Sequence, residues 1–407
     1  DEMTNGFLNA KEIKKNVMDN RLEKIARLNY WNGNQFDHGV ERSVYLNRIL
    51  PYTGNRVIKV VTGQRRAGIF VTVPQVITSM LDRRLMEPSQ ILYINKEFYR
   101  YSFVQTHDDL MDLYETYCRE INPDRKSYVF LDEVHNIHGW ERVVDSLSQD
   151  PSIDCEVFLT GSNSKLLSGE LSTLLSGRYV EFEVQPFSYT EYLKANQAAH
   201  PSRQSMLDYL RSGGLPEFVN LRGEETKRHY VEAVKDTILL KDIVERHKIK
   251  DAALLDRIFA YLVNNSASLV SVTNVVNYLN NEQSKKDGKA KKQNYETVSN
   301  YINFLEDAFV ILRADRYDVK GKEILKGAAK YYANDNYQAL RRAGFQIYAG
   351  KMANREVDFV CADHDKRLYV QVSWTLEDKQ TEEREYASLE AIDDSYPKIL
   401  VTMDDIP

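Results

Sequence analysis

The sequence predicts an α/β fold: a parallel sheet flanked by helices, then a helical region, then a small mixed α/β unit. Three observations carry this. Short, β-branched apolar runs alternate with helix-like segments over the first half of the chain. Those runs end in polar or glycine-containing turns. The strand signal fades near residue 190 and returns only in a hairpin-like stretch and in the last unit.

Taken in order, residues 7–50 mix polar and apolar residues at helical spacing. "RVIKVVTG" reads as a strand closing on Gly63, and "QVITSMLDRRLM" as the helix after it. "ILYINKEF" (91–98), "SYVFLDEV" (127–134) and "CEVFLTGS" (155–162) are further strands, with "HDDLMDLYETYCREI" a helix between the first two. Right-handed crossovers would make the sheet parallel and place a ligand beyond the carboxyl ends of its strands. Helices follow in "SRQSMLDYLRSGGLPEFV" and "DTILLKDIVERHKI". Three more, "LLDRIFAYLVNNS", "SVTNVVNYLNN" and "ETVSNYINFLEDAFVIL", precede the hairpin-like "ILRADRYDVKGKEIL". Thr297 is expected to cap the third of these. The last unit sets the helices "YQALRRAG" and "TEEREYASLEAI" among the strands "REVDFVCAD", "RLYVQVSW" and "KILVTM". The expected divisions are 1–50, a helical segment; 51–195, the core; 196–251, a helical lid or linker; 252–330, a winged-helix-like unit; and 331–407, the C-terminal domain.

Composition narrows the function. The 407 residues carry a net charge of -6, so nucleic acid would need a local basic patch. No apolar run approaches the roughly 18 residues of a membrane span, which argues against a membrane partner. The polar N-terminal stretch has no signal-peptide core. The 3 cysteines are odd in number and scattered, which favours a reducing compartment, the cytoplasm. The 26 tyrosines read as amphipathic core edges.

Gly63-Gln64-Arg65-Arg66-Ala67-Gly68 fits the first six positions of the phosphate loop G-x-x-x-x-G-K-[ST], whose backbone N–H groups turn inward around phosphates at a helix N-terminus. The two positions that would supply lysine to the β/γ-phosphates and a hydroxyl to Mg²⁺ hold Ile69 and Phe70. A plain strand–turn fits the loop equally well. The next apolar strand, "YVFLDEVHNI", ends in Asp132-Glu133, an acidic pair suited to holding a hydrated metal and polarising a water. "FLTGSNS" then offers Ser162 and Asn163 at a third strand end. His135 and His138, three apart, lack any companion cluster and read as loop polarity.

Together "VTGQRRAG", "YVFLDEVHNIHGWERVV", "FLTGSNSKLLSGELSTLLSGRYVEFEVQPFSYTEYL", "GGLPEFV" and "LLKDIVERHKIKD" resemble the predicted bacterial and archaeal ATPases of the AAA-like family that carry a DUF4143 C-terminal region. The resemblance runs from about residue 45 to 405. It implies an αβα P-loop NTPase core, a winged-helix unit and a small restriction-endonuclease-like domain, with ATP or ADP and Mg²⁺ as cofactors. It assigns Asp132 to the metal, Glu133 to the attacking water and Asn163 to sensing the γ-phosphate. Arg178 is a candidate phosphate contact, with a surface salt bridge an equal reading.

Lys285, Lys286, Lys289, Lys291 and Lys292 in "SKKDGKAKKQ", with Arg313 and Arg316 in the hairpin, are the candidate DNA contacts. In the last unit Asp358 fits the first metal position of an endonuclease hairpin. Gln371-Val372-Ser373 stands where Glu-x-Lys is required, and Glu356 reads as a salt-bridge partner. The leading expectation is an AAA-like ATPase, or its nucleotide-binding remnant, acting as a switch for a protein partner or DNA. The rivals are a non-catalytic DNA- or protein-binding module and, least favoured, a metal-dependent nuclease.

Overall fold

The strand and helix pattern resolves into two compact units, Asp1–Val184 and Gln185–Pro407. The computed structural model describes residues 20–404 apart from 37, 124, 163–174, 176, 198–199, 287–291, 334, 353–354 and 365.

In the first unit a short helix, α1 (Ser43–Ile49), precedes the sheet, which is built from β1 (Ile58–Gly63), β2 (Ile91–Asn95), β3 (Ser127–Asp132), β4 (Cys155–Gly161) and β5 (Tyr179–Val184). The order is β2-β3-β4-β1-β5, and every pairing is parallel. β1 to β4 are buried along their whole length because both faces are covered. Val60, Leu92, Ile94, Val129, Leu131, Val157 and Leu159 pack on α3 (His107–Glu120) and α4 (Trp140–Gln149). Their sequence neighbours Val61, Ile91, Tyr93, Phe130 and Phe158 pack on α2 (Ile69–Asp82). This period-two alternation fixes register, since a one-residue slip would exchange the faces. The edge strand β5 was not expected from the sequence; its "YVEFEV" is only half-buried.

Helix α2 departs from the expected start near Gln75. It begins directly after the loop, at Ile69, and continues through Pro74. Proline removes one backbone hydrogen bond and crowds the carbonyl four residues back. The buried stripe Val73, Val76, Ile77 and Met80, at helical spacing against the sheet, outweighs that cost at about 1.5–3 kcal/mol per fully buried side chain.

In the second unit, α5 (Tyr189–Ala195), α6 (Arg203–Ser212) and α7 (Glu224–Thr237) lead into α8 (Ala252–Asn264), β6 (Leu269–Val270), α9 (Val272–Lys286) and α10 (Tyr295–Asp307). The cap of α10 is Asn294, not Thr297: the Asn294 carboxamide oxygen accepts from the Thr297 N–H at 2.8 Å. The hairpin β7 (Leu312–Asp318) and β8 (Glu323–Tyr332) is followed by α11 (Asp335–Arg342), β9 (Gln346–Met352), β10 (Arg355–Asp363), β11 (Lys366–Val372), α12 (Lys379–Glu390) and β12 (Lys398–Val401). These strands form one seven-stranded mixed sheet, β12-β11-β10-β9-β7-β8-β6. The boundary expected at 330/331 therefore falls inside β8, and the hairpin joins the C-terminal strands through the parallel β7–β9 pairing. The helix Tyr189–Ala195, expected in the core, belongs to the second unit.

Candidate functional site

The carboxyl ends of β1, β3 and β4 meet where the strand order changes direction, the place where open α/β sheets bind ligands. β1 ends in Gly63, whose φ is +153°. A Cβ there would lie 2.0 Å from the Val184 carbonyl oxygen of β5, so glycine is required by strand packing whatever the loop binds. The chain then turns through Gln64, Arg65, Arg66 and Ala67 to Gly68, with Arg66 and Gly68 left-handed at φ +68° and +101°. The buried Arg42 anchors this turn by donating from Nη1 to the Ala67 carbonyl at 2.8 Å. Gly68 is the N-cap of α2, and no side chain caps that end. Val71 and Thr72 already donate their N–H groups to the Gly68 carbonyl, and the preceding N–H groups lie at the positive end of the helix dipole.

The two departures from the phosphate-loop pattern are built into the fold. Ile69 is buried in the cluster between α2 and the sheet. Phe70 is 52% exposed and meets Phe98 edge-on, with ring centroids 6.0 Å apart.

Asp132, at the end of β3, is 3% exposed. Tyr93 donates its hydroxyl to Oδ2 at 3.0 Å, and the Asn95 carboxamide donates to the same oxygen at 2.6 Å. The Thr160 hydroxyl donates to Oδ1. Both carboxylate oxygens are engaged with neighbouring strands, and burial pushes the carboxyl above its ordinary range despite the hydroxyl donors. Asp132 does not present a free oxygen for Mg²⁺, and Phe70 has no hydroxyl to offer one. The residues present do not fit the expected metal.

Glu133 is the acid that faces the crevice. Its backbone is left-handed, φ +53°, and its N–H donates to Thr160 Oγ1 at 3.1 Å. Its carboxylate lies 3.2 Å from His135 Nδ1 and accepts from the Ser162 hydroxyl at 3.5 Å. Burial first, then the charges of Asp132 and Glu97, push the Glu133 carboxyl up to about 7, while Arg65 opposes them. Arg65 itself pairs with Glu97, just beyond β2, at 3.0 Å.

The structure thus brings together Gly63–Gly68, Asp132, Glu133 and Ser162. Asn163 lies outside the described residues. Arg178 does not join them. It immediately precedes β5, its carbonyl accepts from Ile58 N at the opposite end of β1, and its guanidinium pairs with Asp145 at 2.7 Å. That opposite end also buries Glu156, whose carboxylate accepts from Lys59 at 2.6 Å and Lys126 at 3.0 Å. His135 contacts Glu133, and among the described residues no cluster of His, Cys, Asp or Glu is placed to hold a metal. Sequence reading missed Arg42, Tyr93, Asn95, Glu97 and Thr160. Only "YINKE", polar residues following an apolar strand, carried a readable signal.

In the second unit, Lys285 and Lys286 close α9, Lys289 and Lys291 lie outside the described residues, and Lys292 is exposed. Arg313 pairs with Asp315 at 2.8 Å. Arg316 lies beside them on β7. Asp358 accepts from the Val372 N–H at 3.0 Å and receives the Gln371 oxygen on its own N–H at 3.1 Å. Gln371 donates to Glu385 at 2.6 Å. Lys330, nearly buried on β8, puts its ammonium 3.3 Å from Glu356 and 3.9 Å from Asp358. Glu356 is thus a salt-bridge partner, and an ammonium sits beside the carboxylates that a divalent ion would need.

A family model described as an AAA domain matches residues 55–193. Where the resemblance implied DUF4143, the model that matches residues 203–341 is a different one, Domain of unknown function (DUF8612). An uncharacterized protein of Haemophilus influenzae is 32% identical over 388 residues, covering 89% of this chain and 93% of that protein. The uncharacterized protein MJ1544 of Methanocaldococcus jannaschii is 26% identical over 369 residues, covering 83% and 79%. Among solved structures, the Walker-type ATPase PABY2304 of Pyrococcus abyssi aligns over 72% of this chain and 93% of its own, with TM-score 0.49 and 12% identity.

Proposed function

We propose, from the premise that this chain belongs to the family of its uncharacterized Haemophilus influenzae relative and matches an AAA domain over residues 55–193, that it is a nucleotide-binding switch whose hydrolysis is very slow. The observation that carries this reading is the uncapped start of α2 behind the Gly63–Gly68 turn, with Glu133 and Arg65 beside it. Backbone N–H groups there suit the phosphates of ATP or ADP. Ile69 and Phe70 take away the lysine charge and the metal-binding hydroxyl, so binding outlasts turnover in this reading. The switch would act on a protein partner through the second unit. DNA is the less favoured partner because Arg313 is already paired with Asp315. A nuclease role is disfavoured because neutral Gln371 stands where a second carboxylate is required and Glu356 is engaged by Lys330.

The test is ATP-dependent thermal stabilisation of the full chain, with and without Ile69→Lys and Phe70→Ser together. The expected result is a small shift in the parent and a larger one in the double variant. A folded double variant that ATP leaves unmoved would remove the nucleotide reading.

A further inference from the structure

We infer that Arg65 takes the place of the missing lysine, binding an anionic phosphate without a divalent metal, and that Glu97 holds it back while the loop is empty. The inference rests on the nucleotide reading above and adds how the phosphate is held.

Four observations meet here. Position 69 carries a buried isoleucine and position 70 an aromatic ring, so neither brings charge to the loop. Asp132, the residue expected to hold a metal, has both oxygens bound by Tyr93, Asn95 and Thr160. Arg65 lies within the turn itself, its side chain 18% exposed, and reaches Glu97 Oε1 at 3.0 Å. It is also close enough to Glu133 to favour that carboxylate. One guanidinium therefore serves two carboxylates at the mouth of the loop.

The exchange is chemically balanced. A guanidinium is always charged and forks onto phosphate oxygens as readily as onto carboxylate. The Glu97 partner is 51% exposed, and pairs of that kind contribute only about 0–1 kcal/mol. An incoming phosphate, also held by backbone N–H groups, would compete with Glu97 for Arg65. Glu97 then acts as a built-in competitor that sets how tightly the loop binds. With no hydroxyl at position 70 and both Asp132 oxygens engaged, nothing here helps to hold Mg²⁺, so a metal-free polyphosphate is the form this arrangement favours.

The experiment measures binding of ATP, and of inorganic pyrophosphate, to the full chain by calorimetry in EDTA and in Mg²⁺. The parent should bind ATP in EDTA at least as well as in Mg²⁺. Arg65→Gln should weaken binding about tenfold, the loss of one charge-assisted contact of about 1.4 kcal/mol. Arg65→Lys should keep part of it, and Glu97→Gln should tighten it about threefold by removing the competitor. Circular dichroism checks that each variant is folded. Should Arg65→Gln not fold, the lysine variant and the exposed Glu97 position decide. Binding that requires Mg²⁺, or that Arg65→Gln and Glu97→Gln leave unchanged, overturns the inference and spares the nucleotide reading. Absence of binding by both the parent and Glu97→Gln overturns the two together.

Discussion

The two ends of the first sheet handle buried charge in opposite ways. At the amino ends of β1 and β4, Glu156 is matched by two lysines, and the Glu156–Lys59 pair is wholly buried. At the carboxyl ends, Glu97 pairs with Arg65, Glu133 lies near the same arginine and beside His135, and the carboxyls of Asp132 and Glu133 sit above their ordinary range. The same strands thus carry one cluster in which a buried carboxylate is fully paired and one in which two carboxyls sit above their ordinary range beside an uncapped helix start. The first is built to hold the sheet. The second tolerates unfavourable electrostatics, which fits a place kept for a ligand.

The largest effect should come from breaking the closed end. Glu156→Gln would leave Lys59 buried without its carboxylate, and removing one member of a buried pair costs about 3–5 kcal/mol. Urea or thermal unfolding should show that loss, with poor soluble yield at 37 °C. A melting temperature within a degree or two of the parent would mean the two ends are not so different.

Glu133→Gln tests the open end, and its sign is reversed. The folded-state pKa of about 7 lies above the ordinary 4.5, so the folded protein holds this proton more tightly than the unfolded chain does. Stability from this group is complete below about pH 4.5 and is lost as pH rises through 7, up to about 3 kcal/mol at 1.36 kcal/mol per unit. The glutamine variant has no proton to lose. It should lack this decline and be the more stable protein at pH 8, while near pH 4 the two should match. Parallel pH–stability curves would place Glu133 in water rather than in the crevice.

The strands and the open end of this contrast were readable before the structure; the closed end was not. Apolar runs ending in polar turns located four of the five strands in the first sheet, and their common direction brought Gly63–Gly68 and Asp132-Glu133 to one end. The alternation in β5 was too weakly apolar to register, because an edge strand buries little. Helix α2 was placed too late because proline and β-branched propensity pointed away from helix. Propensity is a weak prior against a buried stripe. The inward turn of Asp132 was invisible, since it depends on Tyr93, Asn95 and Thr160 arriving from neighbouring strands. For Arg178 the sequence left a phosphate contact and a surface salt bridge equally open, since nothing in it said that β5 runs beside β1 and starts at the far end; the structure shows the salt bridge. In the second unit Lys330 and Glu385 are remote in sequence from the hairpin they complete, so only the absent Glu-x-Lys could be seen.

The second unit offers an independent instance of a closed cluster. Lys330→Met keeps most of the side-chain volume and removes the ammonium beside Glu356 and Asp358. Glu356 is 47% exposed and stays hydrated, so the expected loss is smaller than at Glu156, about 1–2 kcal/mol, read from denaturant unfolding. Neither this variant nor the parent should cleave duplex, single-stranded or branched DNA with Mg²⁺ or Mn²⁺. Cleavage that copurifies with the parent and disappears in Asp358→Ala would promote the nuclease reading to first place.

The smallest effect should come from Arg178, and its smallness is the point. Its guanidinium pairs with Asp145 at 2.7 Å, with side-chain exposures of 40% and 27%. Such a pair contributes about 0–1 kcal/mol, and salt screens it further. Arg178 adjoins the amino ends of β1 and β5, while the Gly63–Gly68 turn leaves the carboxyl end of β1, a full strand length away. Arg178→Gln should therefore shift stability by about 0.5 kcal/mol or less. It should leave ATP and pyrophosphate affinity unchanged under conditions where Arg65→Gln reduces both. Arg65 lies within the turn at the carboxyl end of β1, and Arg178 pairs at the other end of the same sheet. A loss of nucleotide affinity in Arg178→Gln equal to that in Arg65→Gln would erase the distinction between the ends on which the reading of this site depends.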